Sequence, residues 1–188
     1  MRQSYRIGSF SMVLALAVQF LLPAAAAGQS VARARTWTLS PFLGTSLDVS
    51  EGGENSLTMG VGVGYDMTPN VGFEGEFSYL FDAAGETDLV DWSITNISGN
   101  FIYHFDVRRV TPYATFGIGF ERSSLESDDP LLDPIASSTE ISFNFGGGVK
   151  YPLTPRILVR GDLRRFQAND LAPDYWRLYG GLTFTLGR

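Results

Sequence analysis

The chain has no cysteine and a single histidine, His104. The first absence removes disulfide staples and thiolate chemistry, and the second leaves no pair of imidazoles for a zinc or copper centre. Long apolar runs are missing after Leu22, so no later segment can cross a membrane as a helix, which takes about 20 apolar residues. Apolar residues at helical spacing are missing too. Positive charge is absent from four stretches, 48–56, 82–91, 123–139 and 167–174, which together hold thirteen of the 20 acidic residues. With a net charge of −6, the chain is a poor partner for nucleic acid.

What is present begins with a leader. Arg2 and Arg6 precede an apolar run from Phe10 to Leu22, and Ala25-x-Ala27 follows Pro23. That order predicts a signal peptide over residues 1–27, cut before Gly28. Its removal takes two arginines away and leaves the mature chain more acidic still. Residues 28–36 are expected to form a periplasmic N-terminal segment, and 37–188 one exported domain. Its 21 glycines and 13% aromatic content, without helical periodicity, fit an all-β protein.

The domain reads as eight segments alternating at a period of two. In the last, Tyr175 to Leu186, one face carries Trp176, Leu178, Leu182, Phe184 and Leu186, and the other Tyr175, Arg177, Tyr179, Thr183 and Thr185. Such a strand would be an aggregation-prone edge unless it pairs with the first and closes a ring. The other segments are expected at 37–47, 57–67, 71–81, from Asn96 to Phe105, 111–121, 140–151 and 157–164. Short connections carry turn chemistry, as in Thr68-Pro69-Asn70, 106–110 and Pro152-Leu153-Thr154-Pro155. The long ones are the acidic stretches. Short turns at one end and long loops at the other is the layout of a barrel in the outer membrane, its short turns toward the periplasm. Trp37, Tyr65, Phe73, Phe105 and Tyr151 would ring the periplasmic end, and Tyr79, Phe81, Phe120 and Trp176 the outer end.

These eight segments, the alternating loop lengths, and the run Gly146 to Pro155 followed by Ile157 to Arg164 resemble the OmpA/OmpX-type outer-membrane β-barrel domain family. The resemblance implies an all-β fold, an eight-stranded antiparallel up-and-down transmembrane β-barrel. It also implies a cell outer membrane location, with membrane lipid and lipopolysaccharide as surroundings. It implies no activity, because that fold hosts surface proteins, lipid-modifying enzymes and narrow pores alike. In the last segment Tyr179, Gly181, Phe184 and Leu186 resemble the signal read by the barrel-insertion machinery, with Leu186-Gly187-Arg188 in place of a terminal aromatic. A soluble lipocalin is also an eight-stranded barrel, but it needs an apolar interior. Here the inner face carries Glu74, Glu76, Lys150, Arg160, Arg164 and Arg177.

Those residues with His104 are the candidate lumen charges. Acids and bases inside a narrow barrel call for ion pairs across it, and the readings are a structural plug or a narrow pore for ions or small solutes. A lipid hydrolase would need its histidine beside a serine at the membrane face, whereas the parity of His104 sends it inward with Asn100 and Ser98. No catalytic residue and no cofactor are expected. Gly60-x-Gly62-x-Gly64 lies mid-strand, where it makes room for large side chains opposite rather than cradling a phosphate. In the third long loop Glu126, Asp128, Asp129 and Asp133 are near-alternate carboxylates, a candidate contact for a divalent cation shared with lipopolysaccharide phosphates or for a basic partner. The expected function is a non-enzymatic surface protein with a structural or interaction role.

Overall fold

Strands with one apolar and one polar face can close on their neighbours only with one set of side chains inside. The computed structural model describes residues 34–47, 55–81, 90–107, 109–127, 136–168 and 174–186. Its strands are β1 (Thr36–Leu47), β2 (Ser56–Asp66), β3 (Val71–Leu80), β4 (Val90–His104), β5 (Thr111–Ser127), β6 (Ala136–Pro152), β7 (Ile157–Ala168) and β8 (Tyr175–Leu186). Each pairs antiparallel with its neighbours in sequence, and β1 pairs with β8 from Trp37↔Leu186 to Leu47↔Trp176, closing the barrel. Closure removes the edge that β8 would otherwise expose. The leader 1–27 lies outside the described residues, as does most of 28–36.

Two of the short turns use one device. Thr68 Oγ1 accepts the backbone N–H of Asn70 (3.2 Å) and Val71 (2.9 Å), and Thr154 Oγ1 accepts those of Arg156 (3.2 Å) and Ile157 (3.0 Å). In both, the threonine N–H donates to the carbonyl of the residue that opens the next strand, at 3.1 Å. Thr-Pro-x-Val and Thr-Pro-x-Ile are therefore the same turn, with proline fixing φ at its second position.

The outer surface is apolar and the interior polar. Trp37, Phe73, Phe77, Ile97, Phe116, Ile118, Phe120 and Tyr151 are each about half exposed, whereas Glu74, Arg160, Arg164 and Arg177 are at most 2% exposed. This inversion suits hydrocarbon outside and rules out the lipocalin arrangement. Trp37 packs on Tyr65 at the turn end and Tyr79 on Phe81 at the loop end.

At the loop end the structure corrects the expected boundaries. β5 was expected to end at Glu121 and β6 to start at Glu140, yet their ladder runs on without a break to Leu125↔Ala136. β4 likewise begins at Val90, and Asp91 stands opposite Glu126. Asp91 and Glu126 are thus strand residues rather than loop residues. The reason is visible in the outward row: Ile97, Phe120 and Ile141 are followed by Thr95, Arg122 and Thr139. Apolar alternation stops where lipid would stop, while backbone pairing continues. Among the described residues 90–93 and 136–141 pair only within β4–β6, so these strands project as a three-stranded tongue. β7 similarly continues to Ala168.

Candidate functional site

Inward parity brings the lumen charges to one centre. Arg160 on β7 reaches across to Glu74 on β3 with two nitrogens, at 2.6 and 3.0 Å. This is the parallel fork geometry that suits a guanidinium and a carboxylate. Its Nε donates to Tyr113 Oη (2.7 Å), and a terminal nitrogen also meets Asp162 (3.1 Å). Arg164 binds Asp162 through Nε (2.9 Å) and a terminal nitrogen (3.1 Å), and the same nitrogen reaches Glu74 (3.3 Å) and Tyr179 Oη (3.1 Å). Arg177 on β8 pairs with Glu76 and donates to Ser78 Oγ at 2.9 Å. Arg164 also lies 3.2 Å from Glu76 Oε2, an ion pair too skewed to be a hydrogen bond, so both atoms count as unbonded. Tyr113 and Tyr179 both donate to Asp162.

Three guanidiniums thus face three carboxylates. Such a set is stable in a poorly solvated interior only because it is balanced and multiply hydrogen-bonded. Aromatic rings fill the gaps: the Arg177 guanidinium lies 4.4 Å from the Phe166 ring centre and 5.0 Å from that of Phe42, and Phe42 stacks on Tyr179 at 4.2 Å. β2 makes room. A Cβ on Gly62 would come within 2.9 Å of the Glu74 carboxyl carbon, and one on Gly60 would collide with the Phe42 ring. Toward the loop end the apolar cluster Leu80, Ile94, Phe166 and Tyr175, none more than 1% exposed, forms a lid inside the barrel.

At the turn end Lys150 Nζ is 3.0 Å from His104 Nε2, and His104 Nδ1 is 4.0 Å from Asp66. With lysine as the donor, His104 is held by a cation on one side and a carboxylate on the other. Its side-chain contacts are Lys150, Asp66 and the Tyr113 ring. Asp162, Tyr113, Tyr179 and Asp66 belong to these networks and were not among the expected lumen charges. Asp162 shares the face of Arg160 and Arg164 at i±2, which is the signal that points to it.

The expected cation contact is divided. Glu126 is on β5, and Asp128, Asp129 and Asp133 lie outside the described residues. Asp174, immediately before β8, is engaged by Arg165 (3.1 Å) and Gln167 (3.3 Å). In the β8 motif Tyr179 points into the network, Gly181 and Phe184 are half-buried, and Leu186 is exposed. No three His, Cys, Asp or Glu side chains converge on a metal position among the described residues.

The profile of a family described as outer membrane protein beta-barrel domain matches residues 12–186. No curated protein matches at a significant level. Among solved structures, Neisserial surface protein A is 17% identical with a TM-score of 0.64, covering 80% of this chain and 97% of that one. The N-terminal β-barrel domain of Pseudomonas aeruginosa OprF is 20% identical, TM-score 0.56, covering 81% and 98%. Ail, the attachment invasion locus protein of Yersinia pestis, in complex with the heparin analogue sucrose octasulfate, is 18% identical, TM-score 0.55, covering 80% and 99%. Likeness at this level of identity speaks for the fold alone.

Proposed function

This chain belongs to the outer membrane protein beta-barrel domain family, a small barrel of the outer membrane, and from that premise we propose that it is a sealed, non-enzymatic anchor whose acidic outer rim is its working part. The observation that carries the reading is the filled lumen. Arg160, Arg164 and Arg177 are at most 2% exposed and are tied to Glu74, Glu76 and Asp162, which leaves little for a solute path or a catalytic base. Function then moves to the loops. The four loop-end stretches 48–56, 82–91, 123–139 and 167–174, which include Asp91 and Glu126 on the strand ends, hold thirteen acids and no Lys or Arg, a composition that repels polyanions and attracts cations. The Ail structure holds a heparin analogue; a rim of this charge favours the opposite chemistry, a basic partner or divalent cations shared with lipopolysaccharide phosphates. Barrel insertion would read β8 through Tyr179, Gly181, Phe184 and Leu186.

The test uses protease on the folded mature barrel. Millimolar Ca²⁺ or Mg²⁺ is expected to protect loop 128–135 from cleavage, and Asp128→Asn with Asp129→Asn to remove the protection. Equal protection by NaCl at matched ionic strength would mean that charge screening suffices and the rim binds no cation.

A further inference from the structure

The central network is balanced, but one buried carboxylate stands outside it. Glu121 on β5 is 1% exposed, and no arginine or lysine forms an ion pair with it among the described residues. Its Oε2 accepts from Tyr175 Oη (3.2 Å) and Asn96 Nδ2 (3.4 Å). Its Oε1 is buried without a hydrogen-bond partner.

Two further buried oxygens share that condition: Asn96 Oδ1 and Ser123 Oγ. Asn96 is opposite Glu121 on β4, and Ser123 is the next inward residue along β5. On the other flank Glu140 of β6 stands opposite Glu121 and is half-buried. Asn96, Glu121 and Glu140 therefore form one row across three strands. The row lies one residue beyond Ile97, Phe120 and Ile141, the last lipid-type row on these strands, and beside the lid residue Tyr175.

A buried carboxylate with no ion-pair partner is unfavourable unless something supplies the missing charge. The side chains of this row and of Ser123 offer two carboxylates, an amide carbonyl and a hydroxyl, with no nitrogen or sulfur ligand. That is the donor set of a hard cation, and its mixed, irregular character suits the flexible coordination of Ca²⁺ better than the strict octahedron of Mg²⁺. We infer that Glu121, Asn96, Ser123 and Glu140 form a Ca²⁺ site at the loop-end mouth of the lumen. The ion fixes the base of the β4–β6 tongue to the barrel. It is a different site from the loop carboxylates Asp128, Asp129 and Asp133, and it does not depend on them.

Terbium reports on it directly, because the Tyr175 hydroxyl is bonded to Glu121 and its ring sits next to the site. The mature barrel, refolded in zwitterionic micelles free of lipopolysaccharide and stripped of metal, is titrated with Tb³⁺ under tyrosine excitation. Saturable emission is expected at one ion per barrel, displaced by Ca²⁺ but not by NaCl at matched ionic strength. Glu121→Gln is expected to weaken Ca²⁺ displacement affinity by about tenfold or more, since it removes one carboxylate ligand. Ser123→Ala, a milder change that keeps the fold, is expected to weaken it in the same direction. Asp128→Asn with Asp129→Asn is expected to leave it unchanged. Absence of saturable emission, or equal affinity in Glu121→Gln, would overturn the site and leave Glu121 as a buried neutral acid. Loss of emission only in the loop double variant would place the cation in the loops instead.

Discussion

Arg160 holds Glu74 through two hydrogen bonds and touches Tyr113 and Asp162 as well. Removing it leaves Glu74 only the 3.3 Å contact with Arg164 and sets three buried carboxylates against two guanidiniums, and breaking a buried pair in this way typically destabilises by about 3–5 kcal/mol. Arg160→Ala is therefore expected to lower the free energy of unfolding, measured by urea titration, by that amount. Replacing both partners, Arg160→Met with Glu74→Leu, should recover most of the loss, because no charge is left unpaired. If the single variant were as stable as the parent, the lumen would be filled by water rather than by pairs. Which residues face inward was legible from parity alone. Which acid meets which base was not, because β3 and β7 lie on opposite walls and their relative height depends on the stagger of the whole barrel. For the same reason Glu121 passed as an ordinary inward polar residue: nothing local in the chain reveals that, among the described residues, no arginine or lysine forms an ion pair with it.

The strands were legible wherever one face is apolar, and β8 matched its expected span of Tyr175 to Leu186 because its alternation runs to both ends. β4, β5 and β6 were longer than expected, for the hydrophobic signal ends with the lipid zone while Ser, Thr and charged residues continue the ladder. The tongue they build carries none of the central network. Joining Ser123 to Ser138 through a two-residue Asn-Gly turn, with 124–137 deleted, is expected to leave the barrel folded, running faster on gels unheated than boiled, with an unfolding free energy within about 0.5 kcal/mol of the parent. Loss of the heat-shifted form would mean that the tongue is needed to build the barrel. The two Thr-Pro turns make the opposite forecast. Thr154→Ala removes the acceptor for two backbone N–H groups, and it should lower the unfolding free energy by about 1 kcal/mol.

At the scale of the whole molecule, the described barrel is apolar outside and balanced in charge at its centre, and the sequence joining its strands at the loop end is acidic. Two of these properties follow from where water is available: lipid takes the aromatic face, and charges tolerate the narrow lumen where they are paired. The account stands on the lumen being closed, since a sealed barrel can act only through its rim. Electrical recording tests this most directly, with the mature protein inserted into a planar lipid bilayer in molar KCl and the voltage swept in both directions. The account predicts a flat trace for the parent protein at every voltage. Reproducible unitary current steps from the parent would contradict it, and would identify the Arg160–Glu74 pair as a gate rather than a plug.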